Sequence, residues 1–176
     1  FEAEDGDNTR DRAHETLLVR SAAFAIAADG NISFALIGGS KPNFDLNAYQ
    51  TEADLPAESS GSGAIGVALR RVSDGRYLTF KTRSTNGSQF WETINIGSDE
   101  LSTLVEDGET YTLDFIDFHS GGWGWAALDS VIIDQGSIAA PQQPIVQFDF
   151  NDRSLQDWVL EMGSDVEGGP TELGII

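Results

Sequence analysis

Hydrophobic and polar residues alternate along this chain with a period of two rather than 3.6, which is the spacing of strands. In NISFALIGG, Ile32, Phe34 and Leu36 fall on one face. TLLVRSAAFAIAADG reads as two strands broken near Ser21. GVALRRVSDGRYLTFKT is the clearest hairpin, because Asp74 and Gly75 between its two arms supply the backbone angles of a tight turn. SQFWETINI alternates again, with Phe90, Glu92, Ile94 and Ile96 on one side and Trp91 and Thr93 on the other. TYTLDFIDF and WAALDSVIID read as a further pair of strands around the loop between them. Only SDELSTLVEDG has a helical look. Ser98 is placed to cap it, Asp99 and Glu100 suit its positive end, and Gly108 stops it. Short strands, glycine-rich turns and at most one short helix (about 98–107) predict an all-β jelly-roll β-sandwich.

Composition narrows the partners. A chain of 176 residues suits one domain with a full core. Its 10 basic and 29 acidic residues give a formal charge of −19. Such a field repels phosphate backbones and anionic lipid, so neither nucleic acid nor membrane insertion is expected. It suits saline surroundings or millimolar calcium, which screen or bind the excess carboxylates. Only Lys41 and Lys81 are lysines, in keeping with such surroundings. The absence of cysteine removes disulfides and thiolate chemistry. No apolar run approaches the ~20 residues of a membrane span. The chain opens on Phe1 without an initiator methionine, so a processed protein or a segment of a longer one is expected.

Catalytic motifs find no support. His14 and His119 stand outside any His-Glu-x-x-His pattern, and no Gly-x-Ser-x-Gly elbow is present. GSGAIG, residues 61–66, matches the glycine spacing of a dinucleotide loop. It follows a polar loop and opens a strand, the reverse of the strand-to-helix context a phosphate cradle needs, and so reads as a flexible loop. Asp114 and Asp117 fall on opposite faces of one strand and read as a solvated edge and a loop cap. An enzyme is not expected. Metal binding has a fairer case in DGDNTRD, where Asp5, Asp7, Thr9 and Asp11 place oxygens at alternate positions as calcium loops do. Thr16 stands where the bidentate glutamate belongs, which leaves a hydrated acidic loop as the other reading.

The stretch LDFIDFHSGGWGWAALDSVII resembles the closing signature of non-catalytic, carbohydrate-binding-like β-sandwich modules attached to fructan-cleaving glycoside hydrolases. TLLVRSAAFAI, ISFALIGG and VALRRVSDGRYLTFKT resemble earlier strands of the same modules, about 120 residues in all. The resemblance implies a jelly-roll sandwich without catalysis of its own. Trp125 replaces the histidine that follows Gly-Trp-Gly in that family, which puts the family's sugar site in question. Trp91, Trp123 and Trp125, with Asp117, are the candidate ligand-binding residues, and rim packing is the competing role for Trp91 and Trp123. In the family, the acid of the opening strand and the aspartate of the closing strand lie side by side and can share a structural calcium. That implies a pairing of Asp149 with Asp129.

The family's opening text here lies at the end of the chain, as FDFNDRSLQDW, residues 148–158. The expected organisation is therefore a main sandwich body over 1–137, a linker over 138–147, and a strand segment over 148–176. That segment completes this sandwich or that of a neighbouring copy. Phe148, Phe150, Leu155 and Trp158 are its candidate subunit-linking residues. The favoured function is an extracellular or cell-surface structural or adhesive repeat, joined head to tail into a filament by strand exchange. A carbohydrate-binding module of a secreted glycoside hydrolase is the alternative, with polysaccharide as partner.

Overall fold

The chain folds as an all-β sandwich of two antiparallel sheets in the computed structural model, which describes residues 16–85, 88–121, 126–137, 146–148 and 159–162. Its strands are β1 (Leu17–Arg20), β2 (Asn31–Gly38), β3 (Lys41–Pro42), β4 (Ala64–Arg71), β5 (Tyr77–Lys81), β6 (Ser88–Ile96), β7 (Tyr111–Asp117), β8 (Ala126–Asp134), β9 (Val146–Phe148) and β10 (Val159–Met162). The larger sheet runs β10-β1-β7-β4-β3, with β5 also on β4, and the smaller runs β6-β2-β8-β9. Inward residues of both sheets meet in one core, where Phe34, Leu36, Leu69, Leu113 and Phe115 are fully or almost fully buried. The predicted alternation of β2 is observed as strict in-out burial, and the hairpin turns at Gly75 with φ +74°.

The larger sheet is covered on its other face as well. Residues 43–60 cross it as a strap, and Phe44 and Leu55 bury a second cluster over Leu18, Ala68, Ile116 and Phe118. Phe44 stacks on Phe80 at 4.4 Å, and the Tyr77 amide donates to Gln50 O at 2.8 Å. The strap carries one 3-10 turn, Glu52–Asp54, unforeseen in the sequence because three residues show no period. Two of the GSGAIG glycines serve close approach rather than flexibility. A Cβ on Gly63 would strike the Phe118 carbonyl, and one on Gly66 the Lys81 carbonyl.

Four expectations need correction. The strands TYTLDFIDF and WAALDSVIID are β7 and β8, which lie in different sheets: β7 pairs with β1 and β4, β8 with β2 and β9. β7 is buried along its whole length, as a central strand covered on both faces must be. Beyond Ser21 no second strand follows; Phe24 makes an isolated bridge to Tyr111 and inserts into the core. The helix α1 spans Ser98–Leu104, with Gly97 rather than Ser98 at its N-cap position. It ends at Val105, which turns extended (φ −98°, ψ 148°) and packs against the core before Gly108 is reached. Lastly, β9 starts at Val146, inside the stretch read as linker.

Candidate functional site

Three places could carry function: the outer face of the smaller sheet, the turn after β7, and the side of the sandwich occupied by β9 and β10. The strap leaves the outer face of the smaller sheet as the open one. Ser33, Ala35 and Ile37 of β2 line it, with Trp91, Thr93 and Asn95 of β6, and all six are exposed or partly exposed. Trp91 keeps 47% of its surface in solvent, and Phe90 beside it on the opposite face keeps 79%. Glu92 is turned the other way, its carboxylate accepting from the Ser84 amide at 3.1 Å and facing the buried guanidinium of Arg83. Trp123 and Trp125, the other two ring candidates, lie outside the described residues. The chain enters β8 at Ala126, opposite Gly38, which on its other side faces Ser88 of β6.

Asp117 is fully buried at the end of β7. Its Oδ1 accepts from the His119 amide at 3.0 Å, and His119 Nδ1 accepts from the Gly121 amide at 2.7 Å. The loop-cap role expected for Asp117 is thus observed, and its carboxylate presents no surface to solvent.

Asp114, expected on a solvated edge, is fully buried beneath the strap, because both faces of β7 are covered. Arg20 meets it with two parallel bonds, Nε to Oδ1 at 2.9 Å and Nη2 to Oδ2 at 2.7 Å, and reaches Glu52 of the strap at 2.8 Å. Burial works against the Arg20 charge, yet Asp114 and then Glu52 outweigh it and hold the guanidinium above its ordinary value. Burial, followed by the nearby Asp114 charge, pushes the Tyr77 phenol up. Sequence reasoning passed over Arg20. Its only signal was a lone cation among apolar residues in TLLVRS, on the same face as Leu18.

Asp129 sits at a β-bulge in β8. The register against β2 moves from Ser33↔Ile132 to Ala35↔Asp129, so β8 holds one extra residue there, and Ser130 has φ 53°. The Asp129 Oδ1 accepts from the Ser130 amide at 2.7 Å. β9 lies antiparallel against β8 with Val131 opposite Phe148. Asp149 is the next residue in sequence and lies outside the described residues, as do Asp5, Asp7, Asp11, Phe150, Leu155 and Trp158. Among the described residues no group of three or more acidic, histidine or cysteine side chains is placed to hold a metal ion. Asp129 on its own falls well short of the six to eight oxygens calcium takes.

The C-terminal segment contributes one strand to each sheet. Among the described residues β9 is the outermost strand of the smaller sheet, and β10 lies outermost on β1 in the larger, with Arg20 opposite Val159. The exit from β8 is held by the turn before β2. Asp29 accepts from the Ser137 amide at 2.8 Å, and the Ala27 amide donates to Gln135 O at 2.9 Å.

Comparison of the chain with protein-family models, curated proteins and solved structures finds no match.

Proposed function

We propose that this chain is a non-catalytic repeat of a secreted surface assembly, structural or adhesive, whose copies link head to tail through the C-terminal segment. One observation carries this reading: among the described residues both strands of that segment are outermost, one in each sheet, so they can leave without breaking any other strand pairing described there. Residues 135–145 separate them from β8 and include Pro141 and Pro144. Extended, that connection spans roughly 35 Å. A tight hairpin needs only two to five residues, so this longer one does not force the segment back onto its own chain. A copy that accepts its neighbour's segment satisfies the same backbone groups, and a heterologous contact of that kind grows without closing. Sedimentation of the intact chain tests it, with a ladder of oligomers expected. A monodisperse monomer whose residues 146–176 resist proteolysis would overturn it.

The exposed Trp91 on the open sheet face favours a second reading, a carbohydrate-binding module of a secreted hydrolase. Indole rings at that exposure are what pyranose and furanose faces stack against. In that case Trp91→Ala abolishes retention on the target polysaccharide and leaves the melting temperature unchanged. Under either reading a structural calcium shared by Asp129 and Asp149 belongs to the proposal. Excess chelator would then lower the melting temperature, because an ion bound only by the folded state stabilises it by mass action.

A further inference from the structure

The two edges of the smaller sheet run in opposite directions. β6 is antiparallel to β2, β2 to β8, and β8 to β9, so β6 and β9 point opposite ways. A second copy displaced across the sheet therefore brings its β6 antiparallel to the first copy's β9, the better hydrogen-bonded of the two pairings. The larger sheet lacks this property. There β10, β3 and β5 all run the same way, so a displaced copy meets its neighbour in parallel. Both edges of the smaller sheet are also poor in charge. On a chain of net charge −19, β6 holds one charged residue, Glu92, whose carboxylate is engaged by the Ser84 amide, and β9 holds none. The Trp91–Ile96 part of β6 has neither of the usual devices that blunt an edge, a proline or a lysine.

We infer that β6 is a second adhesive edge, which takes β9 of another copy of this chain as an antiparallel strand. The pairing continues the smaller sheet from molecule to molecule. It holds whether β9 belongs to the same chain as its β8 or is donated by a neighbour, so it is separable from strand exchange. Strong self-repulsion keeps the copies apart at low ionic strength. Association is therefore expected to appear as salt shortens the screening length towards ~3 Å near 1 M.

The absence of native cysteine makes a direct test clean. Two full-length variants, Asn95→Cys and Gln147→Cys, are mixed at high salt and treated with a short bismaleimide. The expected product is a covalent dimer of one chain of each kind, about tenfold above the yield of either variant alone. Adding Thr93→Glu to the Asn95→Cys chain is expected to remove that excess with an unchanged melting curve. Thr93→Lys, should the glutamate disturb the fold, is expected to do the same. Equal yields from single and mixed populations would overturn the inference, since they indicate a homotypic or random contact. So would the absence of any product across the salt range. A third pair, Ile132→Cys mixed with Gln147→Cys, reads the β8–β9 register and reports strand exchange independently. Cross-linking there without cross-linking at β6 leaves exchange standing and removes the β6 contact.

Discussion

The two open sides of the sandwich are closed in different ways. On the β5/β6 side, the chain leaves β6 through Gly97 directly into α1, and Leu101 of that helix is fully buried in the core. Glu100 then ties α1 to the other sheet, accepting from Thr79 Oγ1 at 2.6 Å and pairing with Lys81 at 2.7 Å. On the β1/β8 side, closure comes from β9 and β10, which arrive after residues 135–145 and add to strands already held by other partners. β1 is held by β7 through four paired residues and by the strap, where the Thr16 amide donates to Ala57 O at 3.1 Å. β8 is held by β2 along most of its length. One side is thus plugged by an element local in sequence and inserted in the core. The other is finished by a segment that adds to edges already in place. Under the proposed strand exchange, closure of the second kind is the one that a neighbouring copy would supply.

The largest expected effect comes from breaking the strand that accepts β10. Arg20→Met removes the cation from a buried, doubly bonded pair and leaves Asp114 charged and enclosed, a change that costs about 3–5 kcal/mol. Urea denaturation should show that loss. The double variant Arg20→Met with Asp114→Leu should recover much of it, since a paired apolar replacement removes the stranded charge. Next comes Leu101→Ala on the plugged side, which should cost about 2–5 kcal/mol as a core cavity and unfold the molecule as one cooperative unit. Hydrogen exchange then separates the two sides. Amides of β9 and β10 should exchange through local opening, while those of β7 and α1 exchange only with global unfolding. Equal protection on both sides would remove the distinction between the plug, α1, and the clip formed by β9 and β10.

What the sequence revealed divides along the same line. Alternation in β2 and β6 and the Asp-Gly turn of the β4–β5 hairpin were legible because each is set by neighbours within a few residues. Pairing partners were not. β7 and β8 read as a pair of strands around one loop, yet they lie in separate sheets, since periodicity reports which face a residue takes and not which strand stands beside it. The burial of Asp114 was hidden for a related reason. An acid reads as solvated unless the strap that covers it and the arginine that pairs with it are known, and these come from 94 residues upstream (Arg20) and from residues 43–60. Among site residues, Trp91 was read correctly as facing away from Ile94 and Ile96. The bulge at Asp129 has no local signature beyond a polar pair, Asp129–Ser130, inside a strand.

The smallest effect tests whether the plugged side also depends on the hairpin that presents β5 to α1. Asp74, at the turn of that hairpin, is held down to about 2, first by its hydrogen bond from Arg71, which outweighs the opposing effect of burial, and further by the Arg76 amide. Arg71 donates to it through Nε at 3.1 Å and Nη2 at 2.8 Å. A carboxyl whose folded value lies below its unfolded one, ordinarily near 3.9, stabilises the fold at pH above about 4. That contribution shrinks as the pH falls from about 4 and is gone once it passes below about 2, because both states are then protonated. The carboxylate is exposed, so solvent screening limits the whole effect to about 0.2–1 kcal/mol. Asp74→Asn should accordingly lower stability slightly at pH 7 and flatten the acid slope between pH 4 and 2. In hydrogen exchange near pH 3, the loss in the unmodified chain should appear first at the β4–β5 turn and leave β9 and β10 unaltered. If β9 and β10 loosen in step with that turn, the two sides are coupled through the larger sheet, and the clip is not an independent unit.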